Sequence, residues 1–367
     1  MEGSRRPGRN ETTRRAPTLS LTPLVIAALA SAIVLLGAGS SYAAKPTPKL
    51  TSTLCAALGG TWTVGTCTVA APATATSSFV IPDGSSLVVA GTAVDSMGCV
   101  LSIASGVTVT VAANGTMAVT NATIKDAYGY GIGFGICNFG TLANLGTLDV
   151  RNSGDGSAGL VNVGAITNAG AVTIANTGAN SWGIANILQP DESVANGSGS
   201  ILATLANTGT ISISNTGDSS MGLLNGGAVT NSGALTVADT LGTTATGFEQ
   251  DGGTFTNEAS GTLTNDGGTY DPATGLGTQG FYNNGGTMIN LGTANNKGAM
   301  VTWGWVMLTY GTINNYGLVY QADGELVNYG TVHNYGTIGA RSGAPDYPHN
   351  RGICINETLN GVTGTGC

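Results

Sequence analysis

Side chains able to do acid–base or metal chemistry are few in this 367-residue chain, and they do not converge. Only 9% of residues are charged. Five of the 12 Lys and Arg (Arg5, Arg6, Arg9, Arg14 and Arg15) crowd the N-terminus. The others, Lys45, Lys49, Lys125, Arg151, Lys297, Arg341 and Arg351, are scattered. A glycoside hydrolase needs two carboxylates roughly 5 to 9.5 Å apart on one face. A polysaccharide lyase wants an acidic calcium cluster beside a basic proton acceptor. The nearest approaches are Asp149 with Arg151, and Asp155 with Asp218, which share a position two repeat units apart while the unit between them carries Ala179. These read as solvated turn and surface acids, so no catalytic residue, metal or cofactor is expected. The two His, His333 and His349, lie away from any Cys cluster, and no CxxC pair occurs, which argues against zinc.

One concentration of binding-competent side chains stands out. Trp303, Trp305, Tyr310, Tyr316, Tyr320, Tyr329 and Tyr335 follow repeats in which aromatics are sparser. With the Asn-x-Gly turns aligned, Tyr310 and Tyr329 occupy one turn position on successive units, and Tyr316 and Tyr335 another, so each pair is expected to stack. Trp303, Trp305, Tyr310, Tyr316, Tyr329 and Tyr335 therefore form a candidate binding strip, since Tyr offers an apolar face and a hydrogen-bonding tip to a sugar ring or partner surface. Turned inward, the same rings would seal the end of a core.

These residues must be positioned by a repeat. Asn138-Phe-Gly-Thr-Leu-Ala-Asn144 returns as Asn162-Val-Gly-Ala-Ile-Thr-Asn168, and the register persists through Asn207 and Asn215, then Asn231 and Asp239. Asn284 with Asn290, and Asn328 with Asn334, keep the six-residue step. Leu148, Val172, Ile211 and Leu235 hold one fixed place, with Val150, Ile174, Ile213 and Val237 two residues on. That is the period-two alternation of a short strand. A unit with three such strands cannot bury its inner face alone, but stacked copies can, each strand pairing in parallel with its equivalent one coil away. Stacked Asn would form an internal amide ladder. Propeller blades and transmembrane strands need longer spacings. The expectation is an all-β chain, a right-handed parallel β-helix of about ten coils over residues 77–340.

The flanks look different. Basic residues, an apolar run from Leu24 to Leu36, and small residues ending at Ala43-Ala44 predict a secretory signal peptide over 1–44. Removing it leaves 7 bases against 18 acids, a net charge of −11, which disfavours nucleic acid and anionic membranes as partners. The apolar run is too short for a membrane span, so no transmembrane anchor is expected in the mature chain. Exported chains form disulfides. Cys55 with Cys67, in an N-terminal segment over 45–76, and Cys354 with Cys367, in a cap over 341–367, would close local loops at the exposed ends, leaving Cys99 to meet Cys137.

The recurring Asn-x-Gly-Thr/Ala turns between Gly115 and Ala340 resemble the passenger domains and haemagglutinin-like repeats of bacterial surface and secreted adhesins. That resemblance implies a right-handed β-helix and an adhesive role. Two features of those families are missing: no C-terminal barrel follows the repeats, and there is no Leu-Pro-x-Thr-Gly signal. The expected function is a secreted or cell-surface, non-catalytic protein displaying a face for a glycan or cell-surface receptor. The alternative is a polysaccharide lyase or glycoside hydrolase on the same scaffold. A flat Thr array for ice is broken by Ala165, Ala228, Ala171 and Ala234. Asn114, Asn121, Asn196 and Asn356 match glycosylation acceptors by pattern only.

Overall fold

Apolar residues at alternate positions of short strands bury one side of each strand only if every strand lies on its equivalent in the next coil. The computed structural model has that arrangement. It describes residues 47–367 except 92, 122–132, 153–154, 177, 188–202, 216, 240–244, 273–275, 304–305, 323–324, 341–348, 360–361 and 364–367. Thr147–Asn152 pairs in parallel with Ala171–Asn176, which pairs with Thr210–Asn215, which pairs with Ala234–Asp239. Leu148, Val172, Ile211 and Leu235 thereby form one buried inward column. The fold is a parallel β-solenoid with three walls.

The first wall runs from Thr66–Ala70 to Ile353–Asn356. Each coil then turns into the second wall, exemplified by Phe134–Asn138, Ala158–Asn162 and Trp182–Asn186. The third wall follows, exemplified by Thr141–Asn144, Ala165–Asn168 and Thr204–Asn207. Thr246–Asn257 and Gln279–Asn290 are long strands that each serve the second and third walls in succession. Parallel pairing thus reaches past residues 77 and 340 at both ends.

The corners are closed by amide ladders. At the end of the second wall, Asn138, Asn162, Asn186 and Asn225 each donate from Nδ2 to the next side chain, ending on Gln250, at 2.7 to 2.9 Å. At the end of the third wall the series is Asn144, Asn168, Asn207, Asn231, Asn257, Asn290 and Thr309. A third ladder, Asn265, Asn296, Asn315, Asn334 and Asn356, closes the first wall in the C-terminal coils. Each ladder opens on a buried oxygen without a partner, Asn138 Oδ1, Asn144 Oδ1 and Asn265 Oδ1. The preceding coil offers Ile103, Val111 or Val237 there, which have no donor.

The repeated Gly of the second wall is a packing requirement and not a turn. Gly183 lies within Trp182–Asn186, and a Cβ on it would sit 2.4 Å from the Gly222 carbonyl oxygen and 2.5 Å from Ile213 Cγ2. The six-residue Asn step also needs correction. Asn138 to Asn144 joins the second-wall ladder to the third-wall ladder, whereas Asn328 to Asn334 joins the third wall to the first. Asn284 belongs to no ladder: Asn283 takes the place opposite Gln250, and Asn284 is exposed.

A short helix, Ser52–Ala57, and the antiparallel partner strand Gly60–Thr63 cover the N-terminal end, tied by a Cys55–Cys67 disulfide. Cys99 and Cys137, on successive second-wall strands, form another. Cys354 is also disulfide-bonded, while Cys367 lies outside the described residues. Residues 1–44 lie outside them too. Among the described residues, no helix is long and apolar enough to cross a membrane.

Candidate functional site

The turn positions at the two edges of the first wall carry the aromatic columns. Where the third wall turns into the first, successive coils place Leu291, Tyr310, Tyr329 and Arg351 in one column, each backbone N–H bonded to the coil before. Where the first wall turns into the second, the column reads Asp266, Lys297, Tyr316, Tyr335 and Glu357. Tyr310 and Tyr329 stack with ring centroids 4.9 Å apart, and Tyr316 and Tyr335 with centroids 4.8 Å apart, both at 6° between planes. Parallel strands on equivalent turns impose this spacing, because it is the coil repeat itself.

Tyr310, Tyr316 and Tyr329 are 40 to 43% exposed, so they do not fill the core. The two columns are six residues apart along the strand, about 20 Å at full extension. Between them the outward residues form a polar floor. Asn314 Nδ2 donates to Asn295 Oδ1 at 2.9 Å, and Asn295 Nδ2 reaches Thr264 Oγ1 at 3.5 Å. Further down, His333 Nδ1 lies 3.0 Å from Glu357 Oε1. Desolvation first, and then Glu357 and Tyr316, hold the Tyr335 hydroxyl above its ordinary range. Ile353 and Ile355, both exposed, end this wall.

An open cleft of about 570 Å³ is lined by Thr264, Asn295, Lys297 and Tyr316. Lys297 Nζ is drawn toward Asp266 Oδ2, 3.1 Å away. On the other column, the Arg351 guanidinium lies 5.7 Å from the Tyr329 ring centroid. That distance is within reach of a cation–π contact.

The expected strip is therefore not one surface. Trp303 belongs elsewhere: it packs against a cluster of Tyr270, Ala299, Val301, Tyr320 and Ala322 on the outer side of the second wall, with Tyr320 buried. Trp305 lies outside the described residues. The Tyr pairs flank the first wall, so four of the six residues share a face. The residue pattern did not single out Thr264, Asn295 and Lys297. The signal for Lys297 was present: Asn296-Lys297-Gly298 is the unit before Asn315-Tyr316-Gly317 in the aligned turns.

The acidic groups separate into two kinds. Asp149 and Arg151 form a 3.1 Å ion pair on the outer first wall, and Asp155 caps a turn by accepting from the Ala179 N–H at 2.8 Å. Glu249 differs. It is 9% exposed on the outer second wall, opposite Tyr282 of the next coil. Burial, aided by the charge of Asp251, raises its pKa from 4.5 to about 7. Tyr282 is shifted up by its own burial and then by Glu249, Tyr270 and Asp251. Tyr282 Oη lies 3.3 Å from Asn284 Oδ1, and Asn284 Nδ2 lies 3.5 Å from Asp251 Oδ1. Among the described residues no three His, Cys, Asp or Glu side chains come together as a metal site.

Comparison with known proteins returned no matching family model, no matching curated protein and no matching solved structure.

Proposed function

We propose that this chain is an exported, non-catalytic surface protein, similar in kind to adhesin passenger domains, whose C-terminal coils display a binding face for a glycan or cell-surface partner. The observation that carries the reading is the pair of exposed tyrosine columns flanking one polar wall. Exposed aromatics beside hydrogen-bonding side chains are the composition of recognition surfaces, and a rod made only to be stiff has no use for them. The basic, apolar and small-residue order of the first 44 residues supports export to the medium or cell surface. The acidic balance supports partners other than nucleic acid.

Replacing Tyr310, Tyr316, Tyr329 and Tyr335 together with Ser is the direct test. Binding of the purified chain to a glycan array or to cells is expected to fall at least tenfold, with the melting temperature nearly unchanged. Unchanged binding sinks the reading, and a large fall in melting temperature assigns the rings to stability instead.

The alternative, a polysaccharide-cleaving enzyme on the same scaffold, is supported by Glu249. A largely buried carboxyl whose pKa is raised to about 7, by burial and then by the charge of Asp251, is the kind of general acid that glycoside cleavage uses. Cleavage of a polysaccharide that disappears in Glu249→Gln would decide for the enzyme.

A further inference from the structure

Resting on the binding-face reading, we infer that the cleft beside Tyr316 is the sugar subsite of that face, and that it takes an uncharged pyranose ring. Stacking on an aromatic side chain needs a free ring face. Most of the tyrosine faces on this wall are taken. The nearly parallel pairs cover the inner face of all four rings. Arg351 stands over Tyr329 on its remaining side, and Glu357 follows Tyr335 in its column.

Tyr316 is different because the residue one coil before it is Lys297, an unbranched chain whose ammonium is drawn off toward Asp266. The cleft is lined by Lys297 and Tyr316 and not by Tyr335, so it opens on the unstacked side of Tyr316. Tyr310 also has an unstacked side, toward Leu291, but that side does not line this cleft. At about 570 Å³ the space falls within the roughly 300 to 1,000 Å³ of small-molecule sites. An apolar ring face forms one side, and Asn295 and Thr264 contribute an amide and a hydroxyl. The 3.5 Å separation of Asn295 Nδ2 from Thr264 Oγ1 leaves both groups capacity to bond a ligand hydroxyl.

The charge of the cleft selects the class of sugar. Lys297 is the basic residue lining it, and Asp266 stands within 3.1 Å of that ammonium, so the pair offers a donor and an acceptor with no net charge. The negative face of the Tyr316 ring repels an anion. Neutral hydroxyls fit this pairing, and a uronate carboxylate has no unopposed cation to meet.

The experiment is calorimetric titration of the purified chain with maltohexaose, cellohexaose, a β-1,3-glucan hexaose and hexagalacturonate. At least one neutral hexaose is expected to bind, with hexagalacturonate at least tenfold weaker. Tyr316→Ala should raise the Kd of that neutral ligand at least tenfold and Asn295→Ala at least threefold. Arg151→Ala, which alters an exposed ion pair on the same wall several coils from the cleft, should stay within threefold. Retained binding in Tyr316→Ala, tighter binding of hexagalacturonate, or no binding by any hexaose at millimolar concentration overturns the subsite. The wider reading falls separately, if the fourfold Ser variant still binds arrays or cells normally.

Discussion

The middle coils and the C-terminal coils solve the same packing problem with different residues. In the middle, a coil of 24 residues points four apolar side chains inward, for example Leu160, Ile166, Val172 and Ile174. Near the C-terminus a coil of 19 residues points three, for example Val319, Leu326 and Val332. First-wall strands shorten from six residues to four, and the corner held by Val150, Ile174, Ile213 and Val237 passes to the Asn265 ladder. Phe248, Phe255 and Phe281 fill the transition, with centroids 4.5 to 4.9 Å apart. A narrower coil has less apolar area to bury, and hydrogen-bonded amides take over the corner. The change of interior coincides with a change of exterior: the middle first wall is mostly Thr, Ser and Ala, while the short coils carry the tyrosine columns.

Ile211→Asp puts an unpaired charge into the widest part of the apolar interior. It is expected to cost more than about 4 kcal/mol and abolish cooperative unfolding, read by chemical denaturation. A loss below about 1 kcal/mol would show that the middle coils do not depend on a closed apolar core.

Next in size is the ladder that distinguishes the short coils. Asn315 accepts from Asn296 and donates to Asn334, both at 2.7 Å. Asn315→Ala leaves polar groups on both neighbours short of a partner and should cost about 2 to 4 kcal/mol. Asn315→Val, which restores the kind of side chain the middle coils use, should recover little of that. If the valine variant is as stable as the parent, the two regions close their corners by packing alone.

The smallest expected effect sharpens the boundary between the regions. Glu249 has a folded pKa of about 7 against 4.5, so between those values the folded chain holds a proton that the unfolded chain has lost. Stability therefore declines as pH rises from about 4.5 to about 7 and is level above. The decline is no more than about 3 kcal/mol, and less because water still reaches part of the carboxyl. Glu249→Gln should remove this slope, raising stability at pH 8 and leaving pH 4 nearly unchanged. A parent chain equally stable at pH 5 and pH 8 would contradict the burial of Glu249.

Much of the architecture is legible in residue spacing alone. The inward column through Leu148, Val172, Ile211 and Leu235, the ladder through Asn144, Asn168 and Asn207, and the stacking of Tyr310 on Tyr329 all follow from it. In a solenoid, equal positions in the repeat become neighbours in space. Spacing also misled, because six residues separate Asn-x-Gly turns at more than one corner. It does not say which corner a given pair occupies once the coil shortens.

What the sequence determined, then, is everything that depends on one coil lying on the next: strand register, the amide ladders, and which side chains share a column. The tertiary structure decided what depends on the direction a column faces. Tyr316 and Tyr335 stand at the edge of an exposed wall, while Tyr320, a few residues away in the chain, is buried beneath Tyr270. Glu249 and Lys297, unremarkable in the sequence, become a buried acid and the wall of a cleft. Periodicity relates a residue to its copies, but burial, desolvation and open ring faces depend on whatever other segment covers it, and an excursion such as the one carrying Tyr270 interrupts the repeat.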